Sequence, residues 1–172
     1  MNLNIFEIGI ILPKVLSIIA FFVLGCSEAD ILSDRLPSSV DMEVLQYNKW
    51  NMAEEILEKI NHHRSVLSIA EIEFNKMSAT ALAIEHCKYM IQNGFVSHAN
   101  FSKRNQALSE MGAVKVGENI AFGYTFSSSI IKAWIKSPSH KKVLEGNYNH
   151  IGIGVVKSSE NKTYVTALFY LK

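Results

Sequence analysis

Three stretches of the chain place side chains that can move protons or hold ions beside residues that fix the backbone. Ser97-His98-Ala99-Asn100-Phe101 follows Gly94. Gly117-Glu118-Asn119-Ile120-Ala121-Phe122-Gly123 brackets an acid–amide pair with glycines and runs into apolar residues. Trp134-Ile135-Lys136-Ser137-Pro138-Ser139-His140 crosses a proline. Imidazole titrates near neutral pH and ligates borderline ions such as Zn²⁺, and a carboxylate assists it in both tasks. His98 lies 20 positions before Glu118 and 42 before His140, so spacing alone does not bring them together. The sequence has no G-x-S-x-G, no H-E-x-x-H, no P-loop and no C-x-x-C. Gly152-Ile153-Gly154 sits inside a strand pattern with no glycine-rich continuation. It reads as a site of close packing rather than a nucleotide loop.

The elements that must carry these stretches follow from hydrophobic period and punctuation. Trp50, Ala53, Ile56, Leu57 and Ile60 fall at helical spacing, with Asn51 and Glu54 resembling a helix-start box. Asn75 or Ser78 opens a second helix with Leu82, Ala83, Tyr89 and Met90 on its apolar side, ended by Asn93-Gly94. A short third helix covers Phe101 to Met111 and closes at Gly112. A fourth follows Ser127–Ser129 through Ile130, Ile131, Trp134 and Ile135. Pro138 stops it and starts another turn toward Glu145. Then the period changes to two: Ile151, Ile153, Val155 and the run Tyr164–Leu171 read as strands joined by a turn at Ser158–Asn161. Helices first and a hairpin last predict an α+β domain, with helices packed on a small antiparallel sheet.

In order along the chain, S-H-x-N-F, G-E-N-I, W-x-x-S-P-x-H and I-G-I-G-V resemble the CAP/SCP superfamily (cysteine-rich secretory, antigen 5, pathogenesis-related-1) in its bacterial branch. The resemblance spans roughly Ala53 to Phe169. Asn61 and Arg64 match its N-x-x-R, and Arg104 matches an arginine that often follows the first histidine motif. It implies an α-β-α sandwich with a cleft lined by two histidines and two acids. Carried over by motif, these are His98, Glu118 and His140, with Ser137 at the place of the second acid. Ser139 stands where glycine is usual, and Val143 where an asparagine often follows. The resemblance further implies a lipid or envelope ligand in the cleft, or a divalent cation such as Zn²⁺ on His98 and His140. A metal-dependent hydrolase acting on peptide or envelope polymer is the alternative activity. A third reading makes the cluster a buried polar network that fixes the loops. Asn119 and Trp134 read as structural, and His62, His63 and His150 as outside the site. Ser137 is no expected nucleophile: Pro138 separates it from His140, and no elbow frames its hydroxyl.

The remaining sequence reads as an address and a tether. Val15–Leu24 holds ten residues without a charge after Lys14, the length of a signal-peptide core and too short to span a bilayer. Val23-Leu24-Gly25-Cys26 resembles a bacterial lipobox, which makes Cys26 the lipidated mature N-terminus and membrane anchor. Ser27-Glu28-Ala29-Asp30 looks like the acidic tag that sends lipoproteins to the cell surface in Bacteroidetes-type bacteria. The expected division is 1–25 signal peptide, 26–49 acidic tether and 50–172 domain, placing the protein in the cell envelope on the outer membrane. Cys87 is then left as an inert core thiol. The net charge of +1 over 172 residues hides a split: net −6 between Glu28 and Glu58, and net +7 from Lys59 to Lys172. The overall balance provides no basic footprint for nucleic acid.

Overall fold

The computed structural model describes residues 40–172. The signal peptide expected at 1–25, the lipidation site Cys26 and the tether up to residue 39 lie outside the described residues. Five helices surround four strands. Helix α1 is Trp50–Val66, β1 Glu73–Phe74, α2 Ser78–Asn93, α3 Phe101–Glu110 and β2 Lys115–Phe122. They are followed by α4 Ser127–Lys136, α5 Pro138–Leu144, β3 His150–Lys157 and β4 Thr163–Leu171. The strand order is β1-β3-β4-β2. The sheet is antiparallel except for β1, which pairs parallel with β3 over two residues.

Alternation along β3 and β4 builds the sandwich. Ile151, Ile153, Val155, Val165, Ala167 and Phe169 face α1, α4 and α5 in one buried cluster. Leu168 and Tyr170 face α2 and α3 with Ala79, Leu82 and Leu108. Both faces of the sheet are covered, so its strands carry near-continuous apolar runs. Gly152 and Gly154 provide the close packing their spacing suggests. A Cβ on Gly152 would overlap the Ala79 carbonyl, and one on Gly154 would lie 2.6 Å from the Ala83 carbonyl carbon. The backbone of α2 therefore rests directly on β3. Cys87, fully buried beneath α2, has its thiol pushed up to about 12 by desolvation and is chemically quiet.

The structure refines four local readings. Helix α1 starts at Trp50 with no side-chain cap, and Glu54 reaches Lys76 (2.6 Å) instead of closing a box with Asn51. Ser78 rather than Asn75 opens α2, because the Asn75 side chain is committed to the Met77 amide (3.0 Å) and the Tyr170 hydroxyl (2.8 Å). The Gly117–Gly123 stretch is strand β2. Its buried positions are taken by Gly117 and the polar pair Glu118-Asn119 in place of an apolar run.

The fourth change shortens the tether assigned to 26–49. Met42–Tyr47 forms a 3₁₀ turn whose Val44 is buried in the cluster on α2, and Asn48 is buried too. Asn48 donates to the Ile153 carbonyl (3.2 Å) and accepts from the Val155 amide (2.7 Å). The Lys49 amide donates to the Val155 carbonyl (2.9 Å). This non-repetitive segment closes the exposed edge of β3, which no period could announce.

Arg64 ties α1 to the far end of α5. It is 1% exposed and donates to the carbonyls of Ala70 (2.8 Å), Leu144 (2.9 Å), Gly146 (2.9 Å) and Tyr148 (3.2 Å). A single guanidinium thereby satisfies the end of the helix that carries His140 and the loop behind it.

Candidate functional site

Helix α2 ends at Gly94 in the left-handed conformation (φ +70°), and the chain turns back through Ser97 to Asn100, itself left-handed (φ +57°). This turn presents His98 to β2. The Nδ1–H of His98 donates to Oε1 of Glu118 at 2.7 Å. The other carboxylate oxygen, Oε2, is held by Arg104 from α3, through Nε at 2.7 Å and Nη2 at 2.6 Å. Arg104 Nη1 donates to the Ala99 carbonyl at 2.9 Å. The Arg104 and Glu118 side chains are buried, whereas His98 is 55% exposed. A buried ion pair offsets its desolvation through further hydrogen bonds, and here each carboxylate oxygen and the Nε and Nη1 groups of Arg104 have a partner. With Nδ1 as donor, the lone pair of His98 Nε2 faces outward from the pair.

His140 enters from the opposite face of β2. Asn119, the neighbour of Glu118 and pointing the other way, donates to the His140 main-chain carbonyl (3.0 Å). Trp134 donates its indole N–H to the Ile120 carbonyl (2.9 Å). Gly117 lets α5 and its following loop close on the strand: a Cβ there would lie 2.6 Å from the Tyr148 hydroxyl and 3.0 Å from Val143. Burial, and then the neighbouring His98, hold the His140 imidazole below its ordinary value, so it stays neutral near pH 7.

The structure thus joins His98 and Glu118 in direct contact and sets His140 within electrostatic reach of His98. The Ser137 hydroxyl pairs with that of Ser139 (3.1 Å) and bonds no histidine. His63 bonds Glu145 (2.9 Å) and His150 bonds Asn149 (2.7 Å), away from the cleft.

Two residues outside the nominated set complete the site: Arg104, matched in the sequence without a role, and His86, which no motif marks. Arg104 grips the Oε2 atom of Glu118. His86 on α2 donates from Nε2 to the Ser97 carbonyl (2.8 Å) and anchors the turn that carries His98. Burial, then the Arg104 charge, lower the His86 pKa. A cavity of about 230 Å³ behind the cluster is lined by Leu82, His86, Tyr89, Lys103 and Arg104. The available signal for Arg104 is scarcity: the chain has three arginines against fourteen lysines. Both arginines of the described domain are buried.

The donor set does not fit a resident metal. Among the described residues no three His, Cys, Asp or Glu side chains are arranged to hold an ion. Glu118 has both oxygens engaged, so a cation would meet two imidazoles, short of the three protein ligands of a catalytic zinc site.

Comparison with known proteins agrees with this architecture. The model of the cysteine-rich secretory protein family, CAP, matches residues 57–169. The chain belongs to this family. Among solved CAP-type structures, an outer surface protein from Borrelia burgdorferi superposes with a TM-score of 0.63 at 21% identity, over 69% of this chain and 91% of that one. An extracellular protein with an SCP domain from Bacillus anthracis gives 0.60 at 26% identity, over 76% and 43%. In sequence, the Bacillus subtilis protein YkwD is 46% identical over 43 residues, which span 24% of this chain and 17% of that protein. The CAP domain here is of the bacterial type.

Proposed function

We propose that this CAP protein is an extracellular binding module. Its cleft of His98, Glu118, Ser137 and His140 holds a lipid or envelope-derived ligand without turning it over. The observation that carries this reading is the engagement of Glu118. A carboxylate held by Arg104 on one oxygen and His98 on the other, with its side chain only 2% exposed, is committed to the site's own structure rather than offered to a substrate proton or a metal. The Ser137 hydroxyl has no base beside it. Native mass spectrometry of the protein purified from its own envelope tests the reading: co-purifying ligand lost on His98→Ala with Glu118→Gln supports it. Turnover of envelope polymer by wild type overturns it.

The outward lone pair on His98 Nε2 is the one feature that favours the metal-dependent hydrolase, since a carboxylate-oriented histidine is a common ligand arrangement. Calorimetric Zn²⁺ titration of wild type and His98→Ala separates the readings. Equal weak binding by both removes the metal.

The same proposal places the domain on the cell envelope, tethered to the outer membrane by lipid at Cys26. The similarity to an outer surface protein and an extracellular protein supports the placement outside the cell. Among the described residues no helix is long and apolar enough to cross a membrane. Fatty-acid labelling that persists in Cys26→Ser refutes the anchor.

A further inference from the structure

The register of the sheet shows which main-chain groups of β2 look away from it. Gly123 donates to the Thr163 carbonyl (2.8 Å), one step beyond the pair Phe122–Tyr164. Antiparallel pairs alternate between bonded and non-bonded, so Ala121, Asn119 and Gly117 bond to β4 while Phe122, Ile120, Glu118 and Val116 turn their N–H and C=O outward. The Trp134 indole confirms the phase independently, since it reaches the Ile120 carbonyl from outside the sheet. That is the one partner these outward groups have among the described residues.

Glu118 adds a second observation. The residue as a whole is 7% exposed, yet its side chain is only 2% exposed, so the surface it offers is main chain. The open segment runs between His98 on one face of β2 and His140 on the other. The outer edge of β3 is treated differently: Ile153 and Val155 have both their N–H and C=O groups capped, by Thr80, Asn48 and Lys49. A protein that seals one sheet edge and leaves the other open at its cleft has kept a template for strand addition.

We infer that the cleft takes an extended acidic peptide segment, which adds to the outer edge of β2 and pairs its main chain with Val116 and Glu118. Groups two residues apart on a strand recur at about 6.8 Å, the repeat of an extended peptide backbone. A lipid chain has no such repeat. The charge follows from the surroundings: Lys115 begins β2, and Lys136, Lys141 and Lys142 stand exposed on either side of His140. Glu118 is neutralised by Arg104 and does not oppose an acid. This inference rests on the binding-module reading and narrows its envelope ligand to a peptide.

The full-length protein is tested with an acetylated, amidated (Thr-Glu)₄ octapeptide by NMR-detected hydrogen exchange. The expected result is slowed exchange at the Glu118 and Val116 amides. Binding should weaken by about tenfold or more when every second peptide amide is N-methylated, and likewise for (Thr-Lys)₄. Val116→Pro removes one outward N–H at an edge position, where proline is tolerated. It should weaken peptide binding by a similar factor relative to Val116→Ala, which gives up the same packing against the core but keeps the N–H. Equal binding of the N-methylated peptide overturns the inference, and so does absence of binding at millimolar concentration. Protection of these amides by phosphatidylglycerol vesicles but not by peptide also overturns it, while the binding-module reading survives. Cleavage of a peptide that protects Glu118 upholds the docking line and overturns the non-catalytic reading.

Discussion

The outer edges of β3 and β2 belong to one four-stranded sheet and are finished in opposite ways. On the β3 side, β1 covers the first residues, and Asn48, Lys49 and Thr80 then take up the main chain of Ile153 and Val155 group by group. On the β2 side, one tryptophan caps one carbonyl, and the polar investment goes into side chains above and below the strand: Arg104 and His98 on Glu118, Asn119 on the His140 carbonyl. The first edge is built for stability, because an exposed edge invites unwanted pairing. The second is built to hold side chains at fixed places around a strand that still faces solvent. Polar residues are abundant at both, so polarity alone does not mark the functional edge. What marks it is the placement of hydrogen-bonding capacity left over after folding.

Substitutions at the two edges sharpen this contrast. Arg104→Met should have the largest effect, about 3–5 kcal/mol in chemical denaturation, because it leaves the Glu118 carboxylate buried without its cation. Adding Glu118→Gln should recover a good part of that loss. A double variant no better than the single one would mean that Arg104 acts through packing. Asn48→Ala should cost about 2–4 kcal/mol, since it exposes an orphaned amide and carbonyl on β3. A cost near zero would break the contrast by showing that water serves that edge equally well. Trp134→Phe keeps an aromatic ring but loses the Ile120 cap and part of the buried indole. About 1–2 kcal/mol is expected from the same denaturation measurement.

The smallest effect is pH-dependent. His86 is held neutral in the fold by burial, below its ordinary value of 6.5. The unfolded chain therefore binds a proton more readily below that value, and stability falls as pH drops through it. His86→Gln should flatten the decline of the melting temperature between about pH 6.5 and pH 5 relative to wild type. An unchanged slope would place the acid sensitivity elsewhere, with His140 the next group lowered by burial.

Much of the fold was legible because it depends on period. The helices over Trp50–Val66, Ser78–Asn93 and Ser127–Lys136 and the hairpin Ile151–Leu171 announce themselves through apolar spacing, and Gly94, Gly112 and Pro138 mark their ends. Strand β2 was illegible as a strand, because its buried positions are taken by Gly117 and the polar pair Glu118-Asn119 in place of an apolar run. The turn at Met42–Tyr47 was illegible because a cap such as Asn48 works through one side chain meeting a strand 105 positions away. Of the site, the ordered motifs nominated His98, Glu118 and His140. Ser137 was nominated with them, and its hydroxyl bonds that of Ser139.

The sequence by itself determined the class of domain and the side chains that meet at its cleft, because residue type and short-range spacing are properties of the chain alone. Tertiary structure decided what those side chains are free to do. Glu118 could have been a base, a ligand or half of an ion pair until Arg104, 14 positions away, occupied one of its oxygens. β2 could have been an interior strand until β4 paired with it on one side and nothing among the described residues paired with it on the other. Hydrogen-bonding capacity is a local property of residues, but whether it is spent or left over depends on every neighbour the fold brings within 3 Å or so.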